Sequence, residues 1–370
     1  KIDHIMKILI VGAGPIGCYI GQLLKRQAPH IEVKLIEEHA EIGKPVHCAG
    51  LVSKDVITDL KITLDQDCVI NQINGAEFLF DHNSFKINRE NVAVVIDRVR
   101  FDQALSKGLD IDCNTRFVGL EKNSKGYLVE TDQGDYYADI VIGADGAHST
   151  VRKAGGFKEE LELLRGVQFR IRVPHQDHNV VKVYLKKPFF AWFISENPDI
   201  IRAGIISENP YHDLMDLLKA QAIEGEIIEK FAGLLPLGRC GTQRGSIFLV
   251  GDAACQVKPL THGGIYYGMR CAEILVDCIV KDKLADYERL WKGRFEREIQ
   301  IAHKVKTVYQ HLSDKNLENV FCFLKDNVDV LEKFGDFENH SKVISIFLKN
   351  PRLKTLLGKI FIDIVKDIPL

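Results

Sequence analysis

Short β-branched runs alternate with stretches of helical apolar spacing over the first part of the chain. Lys7 to Val11 and Glu32 to Ile36 read as strands, and Ile16 to Ala28 between them carries apolar residues at the helical period. Gly12 to Gly17 fills the turn between the first strand and that helix. Strand, glycine-rich turn, helix and strand in this order predict the opening of a parallel sheet. Arg98 to Leu109 then reads as a helix, Gly126 to Thr131 and Tyr136 to Ile142 as strands, and Gly143 to Ser149 as a loop.

The pattern changes after Gly155. Gly166 to Val173, Asn179 to Leu185, Phe189 to Ile194 and Ile200 to Ile206 read as successive strands separated by Pro, Asn, Asp and His turns, which predicts an antiparallel insert. Pro210 to Phe231 reads as a helix, Ser246 to Val250 as a buried strand, and Gly264 to about Val280 as a long helix. From Leu284 onward apolar residues recur at helical spacing, with breaks near Ser313, Gly335 and Pro351. The expected architecture is α/β. A Rossmann-like domain would span 6–155, with small inserted strands at about 60–95, and resume over 241–283. An antiparallel-sheet domain would occupy 156–240 and a helical region 284–370.

Composition narrows the class. A chain of 370 residues exceeds what one hydrophobic core usually serves, and 46% hydrophobic with 27% charged residues is the balance of a globular protein rather than a disordered or fibrous one. Forty-nine Lys plus Arg against fifty-one Asp plus Glu leave no global field to attract nucleic acid, so an anionic ligand must be met by a local site. Nine scattered cysteines without a Cys-x-x-Cys pair point to a reduced, cytoplasmic chain with no metal centre. No apolar run approaches the 18 or so residues of a membrane helix.

Candidate chemistry begins at Gly12-Ala13-Gly14-Pro15-Ile16-Gly17. In a dinucleotide-binding turn the first glycine makes the bend, the second lets backbone approach a pyrophosphate, and the third lets helix pack on strand. The helix N-terminus then faces the phosphates. Glu37 ends the second strand twenty residues after Gly17, where a carboxylate accepts from ribose hydroxyls. Asp145-Gly146 and Gly251-Asp252 each follow an apolar strand. An Asp-Gly turn alone is commonplace. The pair, in this order behind a glycine-rich turn, resembles the FAD-binding segments of the flavoprotein hydroxylase superfamily. FAD is therefore the expected cofactor, with Asp252 on the ribityl chain and the helix after Gly264 directing its amide dipoles at the flavin ring.

A narrower resemblance lies within that superfamily. Glu41-Ile-Gly-Lys-Pro45-Val-His-Cys48-Ala49-Gly50-Leu51-Val52-Ser53 is similar to the cysteine-bearing segment of the geranylgeranyl reductase family, which includes archaeal digeranylgeranylglycerophospholipid reductases. The similarity continues through Asp97-Arg98-Val-Arg-Phe101-Asp102, through Pro259-Leu-Thr261-His262-Gly263-Gly264-Ile265, and into Leu312-Ser313-Asp314. Matched residue by residue, it implies FAD contacts at Cys18, Glu37, Cys48, Ala49, Leu51, Arg98, Asp252, Gly264 and Ile265. The glycines Gly12, Gly14 and Gly17 and the carboxylate of Asp145 complete the expected cofactor set.

The implied activity is reduction of carbon–carbon double bonds in isoprenoid chains of a membrane lipid or a prenyl diphosphate. Electrons would come from an external donor such as ferredoxin or NAD(P)H, since no second glycine-rich turn offers a nicotinamide site. Cys48 is the leading catalytic candidate, tuning reduction or positioning the alkene, although a buried cysteine is often a packing residue. His262 stands where the family carries a glycine; it reads either as a proton donor or as an outward-facing loop residue. The family's Tyr-x-Trp-x-Phe-Pro segment stands here as Phe190-Ala191-Trp192-Phe193-Ile194-Ser195. Trp192 is thus the residue retained for a substrate channel, and alternation requires at least two of Phe189, Phe190, Trp192 and Phe193 to be structural. Lys342 to Leu370 carries a basic surplus beside apolar residues, which fits either a surface helix or peripheral contact with an anionic membrane. Two other readings share part of the pattern: a flavin monooxygenase of an aromatic or polyketide substrate, and a flavin- or lipid-binding protein without turnover.

Overall fold

The computed structural model describes residues 5–59, 66–355 and 358. The chain divides into two compact units. The first comprises residues 1–69, 96–164 and 233–297, and the second 70–95, 165–232 and 298–370.

The first unit is built on a six-stranded sheet in the order Gln243–Arg244, Ile247–Leu249, Ile140–Gly143, Lys7–Val11, Glu32–Ile36, Ile111–Asp112. Every pairing is parallel except that of the short Gln243–Arg244 strand. Lys7–Val11 lies at the centre, with Ile8, Leu9, Ile10 and Val11 all buried, as expected of a strand covered on both faces. The Pro15–Gln27 helix follows it and buries Ile16, Cys18, Tyr19, Ile20, Leu23 and Leu24. The Ile265–Val280 helix packs beside it: Gly268 lets the two approach until an added Cβ would lie 2.7 Å from Ile16 Cδ1. Strands Phe117–Asn123, Gly126–Thr131 and Gly134–Ala138 form a separate antiparallel sheet.

The Tyr136–Ile142 strand expected from sequence is two strands, because the chain changes sheets at Asp139. Its backbone N–H bonds Lys7 carbonyl and its carboxylate accepts from Lys7 N–H at 2.7 Å, which pins the crossing point to the start of the central strand.

The second unit holds most of a large sheet whose strands run in the order Glu226–Cys240, Glu159–Arg172, Ile200–Ile206, Phe189–Asn197, Val181–Lys186, Val69–Phe80, Asn83–Ile96. The expected small strands at 60–95 are thus two long ones, while positions 60–65 fall outside the described residues. The expected helix over Pro210–Phe231 ends at Ala220, and Glu226 begins a fifteen-residue strand. Gly225 explains the break: a Cβ there would sit 2.5 Å from the Arg172 carbonyl, so only glycine lets the chain enter the sheet beside that strand. The Pro210–Ala220 helix covers one face of the sheet, where Phe169, Ile171, Ala191, Phe193, Ala203, Ile205, Leu214 and Leu218 form a core. Helices at Asp314–Lys325, Val328–Phe334 and Ser341–Phe347 follow, with Ser313 capping the first by accepting from Asn316 N–H. The basic segment after Lys342 lies partly outside the described residues, since 356–357 and 359–370 are not described.

Candidate functional site

In an open parallel sheet the crevice beyond the carboxyl ends of the strands is where ligands bind. The strands ending at Val11, Ile36, Gly143 and Leu249 carry the chain directly into Gly12, Glu37, Asp145 and Asp252. Four segments remote in sequence therefore emerge on one edge of the first unit.

The three turn glycines have separable reasons. Gly12 has φ +97° and lies so near the Ala144 carbonyl that a Cβ would stand 2.5 Å away. Gly17 faces the Gly12 carbonyl, which a Cβ would meet at 1.9 Å. Gly14 has nothing within 4 Å of where a Cβ would point and caps the Pro15–Gln27 helix with no side-chain bond, so the first turn's amides are open to an anion. Glu37 is fastened to this turn: Oε2 accepts from Ala13 N–H at 2.9 Å, and Oε1 accepts from His39 N–H and meets His39 Nδ1 at 2.7 Å. Cys18 is turned away from the open edge. Its fully buried thiol donates to Ala13 carbonyl at 3.1 Å, and burial, aided by Asp102 and Glu37, pushes its pKa well up. A ligand contact at this position therefore falls to its backbone.

Arg98 is the hub of a second group. Its guanidinium donates to both oxygens of Asp102 in the same helix, Nε to Oδ1 at 3.2 Å and Nη2 to Oδ2 at 2.8 Å, and the Cys48 sulfur is near enough to favour its charge. Burial opposes its charge, but Asp102 and Cys48 more than compensate and hold its pKa above the ordinary value. Asp102 is 3% exposed, a partner that sequence reasoning placed in the segment without assigning a role. Cys48 accepts from Gly50 N–H at 3.3 Å, and the chain then runs through Ala49 and Gly50 into the Leu51–Ser53 strand. Ser53 is 2% exposed and its hydroxyl has no partner.

The two acid-and-glycine loops complete the edge. Asp145 Oδ2 accepts from Thr150 Oγ1 at 3.1 Å and Val151 N–H at 3.0 Å, while Oδ1 is buried without a partner. Asp252 packs against Gly264, where an added Cβ would lie 2.4 Å from its Oδ1. Burial, partly offset by Arg98, pushes the Asp252 carboxyl up to about 6. Gly264 caps the sixteen-residue Ile265–Val280 helix without a side-chain bond, so the first amides, beginning at Ile265, are free of a cap.

Arg152, which no motif singles out, ties the two loops together. It is 1% exposed, donates to Ala147 carbonyl and Ala253 carbonyl at 2.9 Å each, and pairs with Glu159. A buried arginine leaves no periodic signal in a sequence, so only the fold reveals it.

His262 is 8% exposed, which corrects the outward-facing reading. Its N–H bonds Lys258 carbonyl, and its φ of +57° explains why a glycine suits the position. Trp192 belongs to the second unit. Phe189 and Phe193 are buried on its sheet, whereas Phe190 and Trp192 are partly exposed and in ring contact at 5.9 Å, so two of the four aromatics are indeed structural.

The first-unit edge fits a flavin nucleotide: an open glycine at a helix N-terminus, a carboxylate at the second strand end, and a buried acid beside a second uncapped helix N-terminus. Among the described residues no helix is long and apolar enough to cross a membrane.

No protein-family model matches the chain. An uncharacterised protein of Methanocaldococcus jannaschii is 30% identical over 373 aligned residues, which cover 93% of this chain and 95% of that protein. A digeranylgeranylglycerophospholipid reductase of Methanococcoides burtonii is 27% identical, with 97% of this chain and 96% of the relative covered. Among solved structures, a geranylgeranyl bacteriochlorophyll reductase-like protein of Thermoplasma acidophilum has a TM-score of 0.81 and 21% identity, covering 96% of this chain and 100% of that one. Together with the cysteine-bearing segment, the Arg98 helix and the Gly251 loop, these similarities along nearly the whole chain establish that it belongs to the geranylgeranyl reductase family of flavoproteins.

Proposed function

We propose that this protein is an FAD-dependent reductase that hydrogenates carbon–carbon double bonds of geranylgeranyl chains in a membrane lipid or prenyl diphosphate. The observation that carries the reading is the convergence of the open Gly14 helix start, Glu37 fastened to that turn, and buried Asp252 against the uncapped start of the Ile265–Val280 helix at the carboxyl edge of the parallel sheet, in a chain similar throughout to reductases of such lipids. The open amides after Gly14 would hold the pyrophosphate, and Glu37 the adenosine ribose. Asp252 would accept from the ribityl hydroxyls, and the amides of the Ile265–Val280 helix would face the ring. FAD, once bound and reduced by an external donor such as ferredoxin or NAD(P)H, supplies the hydride equivalent.

The chain's own contribution is placement. Asp102 locks the Arg98 guanidinium in two-point contact, so a fixed positive charge would stand near Cys48. An isolated alkene accepts hydride poorly, so a site that excludes water and holds both partners close supplies much of the acceleration. His262, buried in the loop before the Ile265–Val280 helix, is the candidate for holding a proton there.

The test is anaerobic incubation of FAD-loaded, dithionite-reduced protein with geranylgeranyl lipid and with geranylgeranyl diphosphate, followed by lipid mass spectrometry. Gain of hydrogen in pairs is the expected result. Absence of any gain from protein whose flavin is demonstrably reduced would transfer the assignment to the monooxygenase class, where reduced protein exposed to oxygen should yield an oxygenated product. Cys48→Ser should retain FAD and lose turnover; full activity in that variant would remove the cysteine from the chemistry.

A further inference from the structure

All nine cysteines are free thiols. The fold of the first unit brings two of them, Cys240 and Cys255, toward one carbonyl. Cys240 ends the Glu226–Cys240 strand, and the residues after it are fixed by backbone bonds: Gly241 N–H donates to the Lys158 carbonyl at 3.1 Å, and Leu249 N–H to the Thr242 carbonyl at 2.9 Å. Gln243–Arg244 pairs antiparallel with Ile247–Leu249, so the chain before Gln243 lies beside the chain after Leu249. The Gly251–Ala254 turn begins there, and Cys255 closes it, its N–H donating to the Asp252 carbonyl at 3.1 Å. Gln256 holds the turn shut through Gly251, donating its N–H to that carbonyl at 3.0 Å while its Oε1 accepts from Gly251 N–H at 2.8 Å. Cys240 Sγ reaches the Ala253 carbonyl, two residues before Cys255, at 3.9 Å.

The two thiols are unequal. Cys255 is 5% exposed and stands at φ +54°, in the left-handed region where glycine is easier, so its side chain is retained against the backbone preference. Cys240 is half-buried. Arg152 donates to the same Ala253 carbonyl at 2.9 Å and sets a buried positive charge beside the pair. The Cys240 thiol is near enough to stabilise a Cys255 thiolate; that contact, seconded by Arg152, outweighs burial and lowers the Cys255 pKa, while the Cys240 pKa is raised. An acidic thiol beside a protonated one is the arrangement of a dithiol oxidised in two steps, one sulfur attacking and the other resolving.

We propose that Cys240 and Cys255 are a reversible redox pair whose disulfide fastens the Asp252 turn to the end of the neighbouring strand, with hydrogen peroxide as the oxidant. The Cys255 sulfur attacks one peroxide oxygen, the O–O bond breaks, and the other oxygen leaves as water once protonated, giving a sulfenic acid. The Cys240 sulfur then forms the S–S bond and displaces the sulfenic oxygen as a second water. Two thiols lose two hydrogens, and one peroxide becomes two waters. A dithiol reductant reverses the step by thiol–disulfide exchange. The closed ring, 240–255, contains Asp252, so oxidation restrains the acid expected at the ribityl chain. The pairing is independent of the ligand; only its effect on FAD release rests on the flavin reading above.

The test treats the FAD-loaded full chain with one equivalent of hydrogen peroxide, alkylates the remaining thiols and maps tryptic peptides without reduction. Cleavage after Arg239, Arg244 and Arg270 leaves Cys240 as the one cysteine of peptide 240–244 and Cys255 as that of 245–270, because Lys258 precedes a proline. The expected product is these two peptides joined, with a loss of two hydrogen masses that dithiothreitol reverses. In Cys240→Ala, which lacks the resolving thiol, dimedone should label Cys255. In Cys255→Ala, Cys240 should stay free for alkylation and take no dimedone. The oxidised chain should release FAD about tenfold more slowly than the reduced chain, because the cross-link removes open forms of the turn.

Absence of the joined peptides while other cysteines are oxidised overturns the pair, as does a disulfide from either cysteine to a third. Joined peptides with unchanged FAD release overturn the fastening of the turn. Failure of the flavin reading is separate, because it would appear as a reduced chain that binds no FAD, in which the peptide map still reads the pair.

Discussion

The loops after Ile140–Gly143 and Ile247–Leu249 leave adjacent parallel strands, and each pairs an aspartate with a glycine in the left-handed region, Gly146 at φ +75° and Gly251 at φ +70°. Their acids nevertheless have different work. In the first loop the acid precedes the glycine and folds back onto its own chain, where Asp145 accepts from Thr150 Oγ1 and Val151 N–H in the first turn of a five-residue helix that Ser149 caps. In the second the acid follows the glycine within a short 3₁₀ turn, Gly251–Ala254, and a longer loop delays the next α-helix until Ile265, so the Asp252 carboxylate packs against Gly264 at that uncapped helix N-terminus. The order of two residues and the distance to the next α-helix thus separate an acid used for local structure from one left buried beside an uncapped helix N-terminus. The bare Oδ1 of Asp145 leaves the first loop one atom for a ligand as well.

Disrupting what the loops share should have the largest effect. Arg152→Met would free two buried carbonyls and unpair Glu159, and a loss of about 3–5 kcal/mol in denaturant unfolding is expected, with FAD retention failing in parallel. Unchanged FAD binding in a folded Arg152→Met protein would show that the loops are positioned independently. Next in size, Asp252→Ala should weaken FAD by about a hundredfold in equilibrium dialysis, the loss of a charge-assisted pair of hydrogen bonds.

The pH dependence sharpens the same contrast. With its carboxyl at about 6, Asp252 is protonated at pH 5 in the free chain, whereas ribityl donors favour the ionised form. FAD affinity should therefore rise by up to about tenfold per unit as pH climbs toward 6 and level off above about 7. Asp252→Asn should flatten that profile. Against the unfolded chain the sign is opposite: the raised carboxyl contributes stability below about pH 4 that is lost as pH rises through about 6. Asp145→Ala should cost about 0.5–2 kcal/mol of stability through the lost hydrogen bonds to Thr150 and Val151 while weakening FAD far less than Asp252→Ala. If the two alanine variants lose FAD equally, the division of labour between the loops is wrong. The smallest effect belongs to His262→Gly, which relieves a left-handed φ and should raise the melting temperature by a degree or two or leave it unchanged.

Much of the first unit was legible because its signals are local. A strand of four buried apolar residues, glycines whose spacing matches three distinct backbone needs, and an acid twenty residues beyond them all follow from neighbours in the chain. Errors arose where a distant strand decided the outcome. Tyr136–Ile142 looks like one strand, yet Lys7 takes Asp139 and divides it between two sheets. Residues 226–231 satisfy a helical period, yet the Arg172 strand claims them through Gly225. His262 looked exposed by type but is enclosed.

The sequence by itself determined the family, the parallel dinucleotide-binding sheet and the residues that meet at its carboxyl edge, because strand ends and glycine turns are set by short-range sterics and periodicity. Tertiary structure alone decided that Asp102 locks Arg98, that Arg152 joins the two loops, and that Cys240 meets the turn closed by Cys255. Those are pairings between groups brought together by sheet register and burial. Nothing in the linear order marks which polar group will find a partner and which will be left without one.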